Sequence, residues 1–212
     1  MARPSTPILS KSLIYRVALG QLDRSGRLSM PELAQELGVS VSSLYHHVNG
    51  RTGVLEGIRG ILSDWDCGDA DNWTEMVRRW AHQYRDAFAR HPAAIPVLVG
   101  DTVSDPGTLH HYDTLANALR EAGFSARSVV LCVSSLDVLC LGAALDAAAP
   151  TEVWSNEAPQ ESVMSDIVTA AQLGPDRSGA AFDLHLTWMI DGMTALLAAD
   201  TAPVDLGPTG GV

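Results

Sequence analysis

Residues 29–48 read SMPELAQELGVSVSSLYHHV, and the spacing of apolar residues in this stretch decides the fold. Ser29-Met-Pro-Glu32 is a capping-box pattern, with Pro31 in the first turn, where its missing N–H is tolerated. The short helix it opens stops at Gly38. Ser40 caps a second helix that runs through Tyr45 to Val48 and ends at Asn49-Gly50. Leu33, Leu37, Val39, Leu44 and Val48 fall where two steeply crossing helices share a core. Ala34 is small where the helices approach, and Gly38 can supply the left-handed turn residue. The spacing predicts a helix-turn-helix, whose second helix lies in the major groove of DNA. Any helical hairpin buries a similar core, so these twenty residues alone leave that plainer reading open.

Outward from this stretch, nearly every periodic segment has the helical period. Ser10 caps a first helix with Leu13, Ile14, Val17, Ala18 and Leu22 on one side, ending at Gly26. A fourth helix carries Val54, Leu55, Ile58, Ile61, Leu62 and Trp65 as one apolar stripe. Gly53, Gly57 and Gly60 share another face of it, each unfavourable by roughly 1 kcal/mol relative to Ala. Two causes fit: a neighbour that approaches the bare face, or a helix weakened so that it can bend. Residues 66–72 (DCGDADN) form a polar break. Helices follow near 73–90, 92–100, 105–122, 125–148, 160–173 and 179–199, with a loop at 150–159. The tail 201–212 reads as disordered.

The chain has 212 residues and a net charge of −11, which argues against a generic polyanion binder. The charge is divided, however. Residues 1–60 carry seven basic and four acidic residues, a balance of +3, whereas residues 61–212 carry seven basic and twenty-one acidic, a balance of −14. Two regions of opposite sign imply two domains with different partners. Cys67, Cys132 and Cys140 are widely spaced, so neither a disulfide framework nor a zinc site is read, and a reducing cytosol suits them. The N-terminus lacks the apolar run of a signal peptide. Val129–Ala149 is the most apolar stretch but contains Asp137 and Asp146, which favours a buried helix over a membrane span. A cytoplasmic location is expected.

Residues 10–66 as a whole resemble the N-terminal domain of the tetracycline-repressor family of bacterial transcription regulators. The resemblance rests on a first helix ending in LDRSG, then LSMPELAQELGVS, then SLYHHVNGRTGVLEGI. It extends more weakly through HPAAIPVL at 91–98 and FDLHLTWMIDGMTALL at 182–197. It implies an all-α chain with three parts: an N-terminal three-helix helix-turn-helix DNA-binding domain over 1–66, with the fourth helix, 51–66, as linker; a larger helical ligand-binding and dimerisation domain over 67–200; and the tail 201–212. It also implies a homodimer that binds a palindromic operator in double-stranded DNA and is released by a small-molecule effector. The positions it places against DNA are Ser29, Val41, Ser42, Tyr45, His46, His47 and Arg51. Val41 suits a thymine methyl, Ser42 a base edge or phosphate, and Tyr45 and Arg51 a phosphate. Because adjacent side chains diverge by roughly 100° on a helix, one of His46 and His47 is expected to pack or cap. The sequence departs from the family at Pro31, where many members carry a basic residue. The recognition helix also has no Lys or Arg, so bidentate guanine readout is not expected from it.

In the second region the resemblance places Cys67, Trp80, Tyr84 and Leu98 at pocket-lining positions. The family's metal-coordinating His falls at Leu98, so neither a metal nor a cofactor is expected, and an apolar or aromatic ligand fits better than magnesium-tetracycline. Trp80 and Tyr84 are also spaced like any core stripe. Asp137 lies in an almost continuously apolar helix, and Asp191 in another beside Trp188. A buried carboxylate needs a partner, either a cationic ligand or a capping or interface hydrogen bond. His110-His111 with Asp113 has weak metal-like chemistry that a solvated helix start explains equally well. Helices 125–148 and 179–199 are apolar on more than one face, as expected if two copies pair them into a four-helix bundle. Two other functions compete with a repressor: a ligand-sequestering helical protein without DNA binding, and a small helical enzyme. No nucleophile–base pair, phosphate loop or metal set speaks for the enzyme.

Overall fold

The computed structural model describes residues 9–151, 153–154, 163–172 and 176–201. Among these residues the chain forms ten α-helices and one short 3₁₀ turn, with no strand. The helices are α1 (Lys11–Ser25), α2 (Met30–Glu36), α3 (Val41–His47), α4 (Gly50–Leu62), α5 (Trp73–Ala89), α6 (Ile95–Leu98), α7 (Pro106–Ala122), α8 (Ala126–Ala147), α9 (Val163–Ala171) and α10 (Arg177–Thr201). The 3₁₀ turn Pro92–Ala94 leads into α6.

The first three helices start at the expected caps, where the hydroxyls of Ser10, Ser29 and Ser40 accept from the amides of Leu13, Glu32 and Ser43. The capping box of α2 is completed differently from expectation. Glu32 does not return to the Ser29 amide; the Gln21 Oε1 of α1 accepts it at 2.8 Å. Gln21 is itself buried, so a long-range contact replaces the local one and fixes α2 against α1. Leu33, Leu44 and Val48 are buried and Leu37 and Val39 partly so, with Ala34 at the crossing. Gly38 has φ +67°, the left-handed geometry expected of the turn.

Several boundaries differ from expectation. α4 ends at Leu62 rather than near 66. Trp65 folds back, its indole N–H donating to the Leu62 carbonyl at 3.0 Å and its ring stacking on His111 at 3.8 Å. The helix expected at 92–100 is a 3₁₀ turn followed by one turn of α-helix, since Pro92 and Pro96 each withhold an amide from the ladder. The helix read at 160–173 is described over Val163–Ala171, and α10 runs two residues further at each end than the 179–199 read for it. Most of the loop read at 150–159, and the tail beyond Thr201, lie outside the described residues.

In the larger domain, α5 packs against α7, α8 and α10. Trp80, Leu115, Leu119, Leu136 and Phe182 are its fully buried centre. By length and composition alone α8 could cross a membrane, but one side of it is instead applied to α5, α7 and α10. Its opposite side, with Val130, Leu131, Val138 and Leu145, is exposed, as are Leu184 and Trp188 of α10.

Candidate functional site

On α3, Ser42, Tyr45 and His46 are exposed, at spacings that put them on one face. Val41 and His47 are half-buried, and Val41 packs against the core. Of the two adjacent histidines, His46 is therefore the one that points to solvent. Ser42 Oγ lies 2.9 Å from the Ser40 hydroxyl, and Tyr45 exposes half of its surface. Ser29 is engaged as the cap of α2. Arg51, in the first turn of α4, is half-exposed and lies 3.6 Å from the Asp101 carboxylate. That partner is fifty residues away, and nothing local in the sequence signals it.

Between this surface and the larger domain stands a dense polar seam along α4. The Arg59 guanidinium is buried and donates to the carbonyls of Leu98 and Asp101, the latter at 2.7 Å. It thereby neutralises the negative end of α6 and the turn that follows. Ser104 donates to Glu56, the hydroxyls of Ser63 and Thr108 lie 2.8 Å apart, and His111 Nε2 is 2.6 Å from the Ser63 carbonyl. Because that partner is a carbonyl, His111 Nε2 carries the proton. Of His110, His111 and Asp113, His111 is thus not a solvated residue but a buried histidine held between a carbonyl and the Trp65 ring. Among the described residues no cluster of three His, Cys, Asp or Glu could hold a metal.

The glycine face of α4 is in part explained by close approach. A Cβ at Gly57 would overlap the Tyr15 ring of α1, and one at Gly60 would come within 3.2 Å of Asp105 Oδ1.

The second constellation lies among α5, α7 and α8. Trp80 and Tyr84 are buried and stacked, centroids 4.7 Å apart and planes at 12°, and the Trp80 indole donates to the His111 carbonyl at 3.0 Å. The Tyr84 hydroxyl is 3.5 Å from that of Tyr112. Tyr112 in turn donates to Asp137, 2.8 Å from Oδ1 and 3.1 Å from Oδ2. The Tyr112 proton is committed to Asp137, so its oxygen is the acceptor for Tyr84 and a chain runs Tyr84 to Tyr112 to Asp137. Burial is the main force raising both phenols far above their usual value, reinforced by the Asp137 charge. Burial likewise raises Asp137, against the phenol hydrogen bonds and the Arg59 charge. Leu98 is buried beside Arg59 through its carbonyl, and burial pushes the Cys67 thiol up to about 11.

Trp188 does not join this group. It is 59% exposed on α10, edge-on to His185, because α10 turns Phe182, Leu186, Ile190 and Met193 inward. Asp191, read as a buried carboxylate, is exposed for the same reason. Tyr112, which ties the chain together, was missed: it sits in HHYD, where no stripe marks it, and Asp137 lies 25 residues on. A separate cleft of about 610 Å³ lies between the 68–72 loop and the outer half of α7, lined by Trp73, Met76, Asn117 and Glu121 among others. None of Trp80, Tyr84, Tyr112 and Asp137 reaches it.

Comparison with known proteins gives this arrangement a context. The family model described as tetracyclin repressor-like, C-terminal domain, matches residues 68–197. The Tetracycline repressor protein class D of Escherichia coli is 28% identical over 204 residues, covering 90% of this chain and 92% of that protein. The crystal structure of apo ActR from Streptomyces coelicolor superposes with a TM-score of 0.72 at 24% identity, covering 94% of this chain and 99% of that one. The same protein in complex with actinorhodin gives a TM-score of 0.69 at 24% identity, covering 89% and 98%.

Proposed function

The chain belongs to the tetracycline-repressor family of ligand-responsive transcription regulators, and from that premise we propose that it is a repressor that grips a palindromic operator as a homodimer and lets go when a small molecule enters the second domain. Ser42, Tyr45 and His46 meet the groove, with Val41 at its edge reading a thymine methyl and Ser29 and Arg51 holding phosphates. Each subunit offers few cations here, Lys11 and Arg16 exposed on α1 and Arg51 on α4. The salt dependence is therefore shallow, each phosphate neutralised contributing about 0.9 to the slope of log K against log salt. The apolar outer faces of α8 and α10, Trp188 included, meet their copies in the partner. The chain Tyr84–Tyr112–Asp137 with Trp80 forms part of the effector site, with Cys67 and Leu98 at its border.

The observation that carries the reading is the seam along α4. The helix that follows the recognition helix is bonded by Arg59 and Glu56, and by Ser63 just past its end, to the segment 98–112, which also contributes Tyr112 to the effector chain. A ligand that rearranges α6 or α7 shifts those bonds and so moves α4, changing the spacing of the two recognition helices. A gel shift with the DNA flanking its own gene tests the proposal. Retardation of that fragment, and not of a scrambled one, is expected. The absence of any retardation would leave the ligand-sequestering reading, which the recognition helix without Lys or Arg and the charge of −11 keep open.

A further inference from the structure

Asp137 is an expensive residue to keep. It interrupts the apolar run of α8 between Leu136 and Val138, is half-buried, and meets only neutral phenols, the Tyr112 hydroxyl shared between its two oxygens and that of Tyr84 behind it. An ionised carboxylate has about four lone-pair sites to fill. Among the described residues no Lys, Arg or His lies within ion-pair reach of it; the ion pairs there all join other carboxylates. The two cations nearest in effect are engaged elsewhere. Arg59 donates to the carbonyls of Leu98 and Asp101, and its charge is the smallest of the influences on Asp137. Arg85 is felt at Cys140, one turn along α8; its Nη1 is paired with Asp86 and its guanidinium lies over the Phe182 ring, while its buried Nε has no partner among the described residues. The two phenols of the chain stay protonated and neutral, so they soften the carboxylate charge without cancelling it.

The surroundings of this under-compensated charge are aromatic. Tyr112 packs 5.8 Å from Trp80, which is stacked on Tyr84, and Tyr84 is 4.9 Å from Phe88. Rings beside a carboxylate attract a positive centre twice, through the ring faces and through the charge. The wider field has the same sign, since residues 61–212 carry seven basic against twenty-one acidic residues and so favour the approach of cations over anions. Tyr112 and Asp137 both keep partial solvent access, whereas Trp80 and Tyr84 are closed off. A ligand therefore meets the acid and its phenol first, with the ring stack behind them.

We propose that the effector is an aromatic organic cation whose positive centre pairs with Asp137 beside the Tyr112 ring, in front of the stacked Tyr84 and Trp80, an inference that rests on the effector site assigned above. A neutral ligand of the same shape leaves the carboxylate without a counter-charge, and an anionic one is repelled by it.

A matched pair of probes isolates the charge: 10-methylacridinium, a permanent cation, and acridine, which has nearly the same shape and is neutral at pH 8. Both are titrated into the full-length protein, followed by tryptophan fluorescence and calorimetry. The cation is expected to bind at least tenfold more tightly than acridine. Asp137→Asn is expected to remove that preference by weakening the cation alone, and Asp137→Glu to keep it. Equal or tighter binding of acridine, an unchanged preference in Asp137→Asn, or no binding of either probe to the wild type would each overturn the proposal. The wild-type comparison needs no variant to fold. Operator retardation measured on the same samples separates the two claims. If the probes fail while the operator is still bound, only the ligand class falls; if the operator is not bound, the regulator reading falls whatever the probes do.

Discussion

The half proposed to face DNA, α1–α4, and the half proposed to take the effector, α5–α10, are specified in different ways. In the first, the signals are local: serine caps at Ser10, Ser29 and Ser40, a left-handed Gly38, and a small shared core of Leu33, Leu44 and Val48. In the second, the decisive contacts cross long stretches of chain, such as Tyr112 to Asp137 and Ser125 to Asp200. The exposed apolar side of α8 has no cover within the described residues of one chain. Local specification suits a module that presents one fixed face to DNA. Distributed contacts suit a module that must change shape when a ligand arrives, because each is a separate bond that a ligand can replace.

The largest effect is expected at the dimer face. Val138→Glu places a charge on a residue that is 76% exposed in one chain and buried in the proposed dimer. Light scattering should then show a monomer, and operator affinity should fall by about 100-fold or more because the second half-site is lost. A dimer that survives the substitution would move the interface elsewhere.

Next in size is the junction between the halves. Gly57→Ala should lose about 1–3 kcal/mol, since the Tyr15 ring must leave its place. That is a fall in Tm of roughly 3–10 °C for a chain of this length. A rise in Tm would restore the alternative that the glycines weaken α4 so that it can bend.

Within the DNA face, Arg51→Ala should weaken binding to every sequence by roughly 1 kcal/mol and lower the salt slope by about 1 per subunit, whereas Val41→Ala should relax specificity at one base pair. Arg51 shares its charge with Asp101, which limits the effect. An Arg51→Ala protein that binds as tightly as wild type would remove the phosphate role.

The smallest effect is a pH dependence in the effector half. Burial raises the Asp137 carboxyl, so the folded chain holds this proton more tightly than the unfolded chain. The resulting stability is present at low pH and is lost as pH rises through the carboxylate range. Asp137→Asn should therefore raise Tm at pH 7, with no gain near pH 3. A scanning-calorimetry series over that range reads the difference.

The sequence made the helix-turn-helix legible almost residue by residue, because caps, a turn glycine and an apolar period are all written within twenty residues. It also marked Trp80 and Tyr84, though only as members of a stripe that any core helix carries. What it hid are residues whose meaning comes from a distant partner. Arg59 reads as one more basic residue on an amphipathic helix, yet it is buried against the Leu98 carbonyl. Tyr112 stands between two histidines and an aspartate, and its partner Asp137 lies 25 residues further along the chain. Trp188 and Asp191 were misplaced because a helix apolar on several faces does not declare which face is turned inward.

The central claim is that the effector half holds two DNA-reading halves at a set distance. It is tested most directly by a spin-label distance between the two copies of His46→Cys in the ligand-free protein. The native Cys67, Cys132 and Cys140 are all buried, so the label enters at the exposed position 46. A single narrow distribution near one turn of DNA, roughly 34–36 Å, is the result the account requires. No dipolar signal at micromolar protein, or a broad distribution far from that distance, would contradict it.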